Sequence, residues 1–178
     1  WELIIIGALC VLFAFLYTTG PYPLSYNGWG DVLVIIFFGF VPVGGTYYVQ
    51  ALTWTPDVTI ASIICGLLID TLLVVNNYRD READARSGKR TVIVRFGEKF
   101  GRYFYLLLGI SASLLCLYFL REGHIYAALL PQLYLVPHVL TWRRMVKIHS
   151  GKKLNSILGE TSRNMLFMGI LLAIGMIL

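Results

Sequence analysis

The stretch from Asn76 to Arg95, NNYRDREADARSGKRTVIVR, gathers the residue types best suited to chemistry. Continued as a helix, it sets Asn76, Asp80 and Asp84 at i, i+4 and i+8, along one face. Two carboxylates one turn apart repel each other unless a cation lies between or beside them. Mg²⁺ suits such a pair, because it prefers oxygen ligands and commonly takes one or two carboxylates plus substrate phosphates. Asn76 or Asn77 adds a neutral amide, as a ligand or as a donor to a phosphate. Gly88 then permits a tight turn that folds the following residues back over the acidic face. Lys89 and Arg90 offer fixed positive charge there, and Thr91 a hydroxyl. Carboxylates holding a metal, with a Lys-Arg pair beside them, describe a diphosphate site. The plainer reading is a solvated charged loop serving topology and solubility. The Asn-Asn start, the Asp spacing and the Gly-Lys-Arg-Thr end together favour the site.

A further acid, Asp70, lies six residues before Asn76, inside the apolar run that leads into the motif. An ionisable group at that depth in a membrane is costly and usually faces a polar cavity. Asp70, Asn77 and Asp84 recur at intervals of seven, nearly on the stripe of the motif, so Asp70 is aimed at the cavity below the metal. A hydrogen-bonded helix-packing role is the competing reading. Asp31 and Asp70 are the candidates for handling a second substrate.

The elements that must position these groups are helices. The chain has 178 residues, 57% hydrophobic and 14% charged, and a mean hydropathy of +0.70. Water-soluble domains carry about a quarter charged residues, so the composition excludes an ordinary soluble fold, disorder and a disulfide-rich module. It predicts an all-α, polytopic transmembrane bundle. Six spans are expected: Leu3 to Tyr17, Val32 to Leu52, Val58 to Val75, Tyr103 to Leu120, Ile125 to Trp142 and Leu158 to Leu178. The chain starts at Trp1 inside an apolar run, which reads as one domain lacking its N-terminal part.

Basic residues flank the spans. Arg79, Arg81, Arg86, Lys89, Arg90, Arg95, Lys99 and Arg102 precede the fourth, and Arg143, Arg144, Lys147, Lys152 and Lys153 precede the last. Lys and Arg in such places orient a protein with those loops on the cytoplasmic side. The net charge of +5 is thereby assigned to topology and not to nucleic acid. Cys10, Cys65 and Cys116 are scattered in apolar stretches and read as small hydrophobes. His124, His138 and His149 are too dispersed for a metal site. Glu160 and Arg163 are expected to pair along one helix. Pro131 and Pro137 predict kinks. The segment Thr18–Gly30, TTGPYPLSYNGWG, is broken by Pro and Gly and reads equally as a cavity lining or a plain turn.

NNYRDREADARSGKRT resembles the second aspartate-rich motif of the UbiA-type intramembrane prenyltransferases, and within them the 1,4-dihydroxy-2-naphthoate polyprenyltransferases of menaquinone synthesis. YTTGPYPLSYNGWGD, Tyr17 to Asp31, resembles a second segment of that branch, with Asp31 where Glu is often found. The resemblance implies a nine-helix fold, of which this chain holds the latter two-thirds. It implies a transferase that joins a polyprenyl diphosphate to an aromatic acceptor in the membrane, with Mg²⁺ as cofactor and two aspartate-rich motifs. Asp80 and Asp84 are then metal-associated, Asn76, Asn77 and Arg79 border the diphosphate, and Lys89 and Arg90 hold it. The first motif has no counterpart here, so this chain is not expected to act alone. A bacterial plasma membrane is the implied location.

Two rivals differ in kind. A prenyltransferase for 4-hydroxybenzoate, homogentisate or haem would share the motif. A secondary transporter would use Asp70 as a midplane coupling site and the Gly/Pro segment as a broken helix. The acids concentrated beside a Lys-Arg pair argue against the transporter. Aromatic side chains such as Tyr17, Tyr26, Tyr47, Tyr48 and Tyr78 could shield a carbocation. They also suit a membrane interface.

Overall fold

A computed structural model describes residues 1–178 and contains helices and turns without strands. Six helical elements run in chain order: α1 (Glu2–Thr18), α2 (Gly30–Ala51), α3 (Pro56–Arg86), α4 (Val92–Leu120), α5 (residues 125–148) and α6 (Lys152–Ile177). They fall where the six apolar runs predict them. α2, α3, α4 and α6 are each long and apolar enough to cross a membrane, and α1 is a shorter apolar helix. The chain forms an all-α membrane helix bundle.

Local sequence explains the breaks. Thr55 caps α3 by accepting the Val58 amide at 3.4 Å, with Pro56 at the first helical position. Pro42 lies inside α2, and residues Ile35–Gly44 wind there as a wider π-helix. Pro131 lies in a 3₁₀ turn over Leu130–Tyr134 that interrupts α5, whereas Pro137 sits without a break inside the regular helix Leu135–Ile148 that follows. Gly97, with φ +87°, breaks α4 six residues after its Thr91 cap.

α3 is the central element and packs on α2, α4 and α6. The α2–α3 approach is close because both faces present glycine: a Cβ on Gly66 would lie 2.9 Å from Ile35 Cα. At about 1.5 Å per residue, the 31 residues of α3 reach about 46 Å, well beyond a roughly 30 Å hydrocarbon core. The turns carrying Asn76 to Arg86 therefore stand beyond the span that begins at Pro56.

A buried polar seam joins α4, α5 and α6. Tyr134 Oη lies 2.9 Å from His138 Nδ1, and His138 Nε2 donates to the Leu106 carbonyl at 3.2 Å. Tyr105 and Thr161 hydroxyls meet at 3.0 Å, and Asn164 donates to Thr141 at 2.9 Å. His138 is thus a packed core residue. Glu160 does not pair with Arg163: its carboxylate meets Arg144 of α5 at 2.6 Å. Glu160 is buried toward α5, whereas Arg163 is exposed, so burial turned the carboxylate to a partner across the interface.

Candidate active site

The C-terminal turns of α3 bring the motif together. Asn76, Arg79, Asp80 and Asp84 follow on one continuous helix, which ends at Arg86. Arg79 organises this end. Its Nε donates to Asp80 Oδ1 at 2.7 Å and its Nη2 to Asp80 Oδ2 at 2.6 Å, a two-pronged pairing. The same guanidinium donates to Asn76 Oδ1 at 2.7 Å and to Asn155 Oδ1 of α6 at 3.0 Å. The Arg79 hydrogen bonds hold the Asp80 carboxyl below the usual carboxylate range.

Gly88, with φ +78°, makes the turn that the sequence requires there. The Lys89 amide donates to the Asp84 carbonyl at 2.9 Å, and Lys89 Nζ comes within 3.4 Å of Asp84 Oδ2. The Arg90 side chain, by contrast, is exposed and makes no ion pair. Arg90 acts through its backbone: its amide donates to the Tyr26 carbonyl at 2.7 Å. Arg95 then donates to the carbonyls of Arg90 at 3.1 Å and Asn27 at 2.7 Å. These bonds staple the Gly/Pro segment onto the Lys89–Thr91 turn. Gly28 is obligatory at the contact, because it has φ +80° and a Cβ there would lie 3.0 Å from the Arg90 carbonyl oxygen.

The staple sets Asp31 at the start of α2, facing α3. Asp31 and Asp70 are both buried, and their carboxyl groups face each other. Apart from each other, Asp31 Oδ1 and both Asp70 oxygens have no hydrogen-bond partner. Facing carboxyls in a dry site repel unless a proton, a cation or a donor hydrogen lies between them. The Tyr17 hydroxyl lies beside the pair. An apolar cavity of about 500 Å³ adjoins it, walled by Phe13, Tyr17, Val34, Phe37, Phe38 and Leu73. Asp70 stands about 15 Å along α3 from Asp80, by the helical rise. The predicted residues therefore form two clusters, with buried Asn77 on the stripe between them.

The donor set fits Mg²⁺ in part. Asp80 and Asp84 offer only oxygen, and the buried Asp84 Oδ2 has the Lys89 ammonium at 3.4 Å as its one polar neighbour. No third acid, His or Cys joins them. That leaves two carboxylates, the number Mg²⁺ takes when phosphates complete its shell. Arg79 holds both Asp80 oxygens here, so a metal would share that carboxylate with the guanidinium.

Arg95 and Asn155 join the site without being marked for it by the motif. Arg95 belongs to the basic run, but its targets are backbone carbonyls distant in sequence. Asn155 has no local signal at all.

The profile of the UbiA prenyltransferase family matches residues 1–176. The chain is 40% identical over 114 residues to the 1,4-dihydroxy-2-naphthoate octaprenyltransferase of Escherichia coli (strain K12), covering 64% of this chain and 37% of that protein. It is 42% identical over 113 residues to the protein of the same name from Mycobacterium tuberculosis (strain ATCC 25618 / H37Rv), covering 63% and 39%. The UbiA prenyltransferase domain-containing protein 1 of Dictyostelium discoideum is 30% identical over 173 residues, covering 97% and 51%. The chain thus spans between about a third and a half of the length of these relatives. No solved structure matches. On the match across nearly its whole length, the chain belongs to the UbiA prenyltransferase family.

Proposed function

We propose that the complete protein transfers a polyprenyl group from polyprenyl diphosphate to 1,4-dihydroxy-2-naphthoate, with Mg²⁺ as cofactor. The observation that carries this reading is the juxtaposition of Asp80, Asp84 and Lys89 at the end of α3, with an unpartnered carboxyl pair and an apolar cavity deeper along the same helix. The Escherichia coli and Mycobacterium tuberculosis relatives carry the naphthoate name, which supports this acceptor over 4-hydroxybenzoate, homogentisate or haem.

In this reading the allylic carbon–oxygen bond breaks, the diphosphate leaves with the bonding pair, a ring carbon of the acceptor bonds to the allylic carbon, and the ring then sheds a proton or its carboxyl group as CO₂, which restores its aromaticity. Bound Mg²⁺, held by Asp80 and Asp84, would supply charge neutralisation to the leaving group. Lys89 adds a fixed cation beside Asp84 and meets the negative charge as it develops. Asn76 and Arg79 hold the Asp80 carboxylate in place. The acceptor hydroxyls donate to the free oxygens of Asp31 and Asp70, which orient the ring. The cavity beside Tyr17 takes the apolar parts and keeps water away. Basic residues in the loops preceding α4 and α6 favour a cytoplasmic motif side, in a bacterial plasma membrane.

The test uses the full-length protein in membranes, labelled polyprenyl diphosphate, the naphthoate acceptor and Mg²⁺. Prenylated naphthoquinol should form, and Asp80→Ala and Asp84→Ala should each abolish it. Undiminished product from both variants would overturn the assignment. Labelled diphosphate bound without any product would favour a carrier.

A further inference from the structure

A second polar pocket lies apart from the acidic face of α3. Glu98, Lys99, Arg102 and Tyr103 of α4 form one wall, and Trp142 of α5 with His149 just past its end form the other, around about 560 Å³. Glu98 is its hub. It accepts from the Tyr78 hydroxyl at 3.0 Å, pairs with Arg102, and lies 3.3 Å from Arg81 and 3.1 Å from His149. Tyr78 and Asp80 point to opposite sides of α3, roughly 200° apart by helical geometry. The hub thus backs onto the motif helix without sharing its acidic face.

Charge and surface chemistry narrow the occupant. One carboxylate faces Arg81, Arg102 and Lys99, so positive charge is in excess. Glu98 is fully engaged, whereas Lys99 pairs with no carboxylate. Trp142 is fixed by its indole N–H, which donates to the Arg102 carbonyl at 2.9 Å, and Tyr103 packs beside it with ring centroids 6.4 Å apart. Trp and Tyr beside a basic pocket mark the headgroup level of a membrane. On α4 the Phe96 and Phe100 rings tilt against each other at a centroid spacing of 5.1 Å, and Phe104 stacks on Phe100 at 5.2 Å. Phe96 is 66% exposed, Tyr103 50% and Leu107 57%. The occupant therefore meets cations at one end and a bare apolar helix face at the other. A free phosphate satisfies only the first.

We propose that this pocket between α4 and α5 binds the headgroup of an anionic glycerophospholipid, with the acyl chains lying along the exposed apolar face of α4. Lys99 and the outer edge of Arg102 meet the phosphate, and Trp142 and Tyr103 flank the glycerol. Basic pockets between spanning helices suit such headgroups. The site is independent of the transferase reading, because no residue of the acidic motif lines it.

The test is retention of lipid by the full-length purified protein, read by native mass spectrometry after equal exposure to phosphatidylglycerol and phosphatidylcholine. Phosphatidylglycerol adducts should exceed phosphatidylcholine adducts. Lys99→Gln, an exposed position whose loss leaves the Glu98 hub intact, should reduce the excess about fivefold. Inorganic phosphate and diphosphate at millimolar concentration should leave the adducts in place. Equal retention of the two lipids, or an unchanged excess in Lys99→Gln, would overturn the proposal. Displacement by diphosphate would assign the pocket to a free anion and overturn it too.

Discussion

Lys89 Nζ lies 3.4 Å from Asp84 Oδ2, across the turn that Gly88 makes at the end of α3. The contact puts a cation over the last carboxylate of the motif, where it faces any anion drawn there. Lys89→Ala should raise the KM for polyprenyl diphosphate about tenfold, the usual effect of losing one charge-assisted contact. The acceptor KM should not move. Steady-state kinetics with each substrate varied in turn checks this.

Asp70 has two buried oxygens and no hydrogen-bond partner apart from Asp31. Asp70→Asn keeps the shape and replaces one of those buried oxygens with an amide donor that can bond the facing Asp31 carboxyl. The thermal midpoint in detergent should hold or rise, while the acceptor KM increases by about tenfold or more. An unchanged acceptor KM would remove Asp70 from acceptor handling.

Arg95 holds the Gly/Pro segment to the Lys89–Thr91 turn through two backbone carbonyls. Arg95→Ala should loosen that segment and leave the spans intact. Hydrogen exchange at the Tyr26 and Trp29 amides, both bonded within the segment, should quicken by roughly tenfold. Exchange within α6 should stay as it is.

Gly66 lets α2 and α3 approach so closely that a Cβ would strike the backbone of Ile35. Backbone cannot swing aside as a flexible side chain can, so Gly66→Ala should cost about 1–3 kcal/mol by overpacking. Thermal inactivation of the detergent-solubilised protein is the measurement. A neutral result would mean that the interface relaxes.

Segment length and local spacing settled much of this protein before any contact was known. The six apolar runs became helices in the expected places, because a span must satisfy its own backbone. The line of Asn76, Asp80 and Asp84, and the turn at Gly88, were legible because helical geometry acts between near neighbours. Folding decided which side chains are spoken for. Arg79 holds Asp80 with help from Asn155 on another helix, Arg90 contributes its backbone and not its charge, Asp31 meets Asp70 across the α2–α3 interface, and Glu160 chooses Arg144 over Arg163. Each of these choices depends on a partner distant in the sequence. Packing, and not local periodicity, sets which polar group can reach which partner.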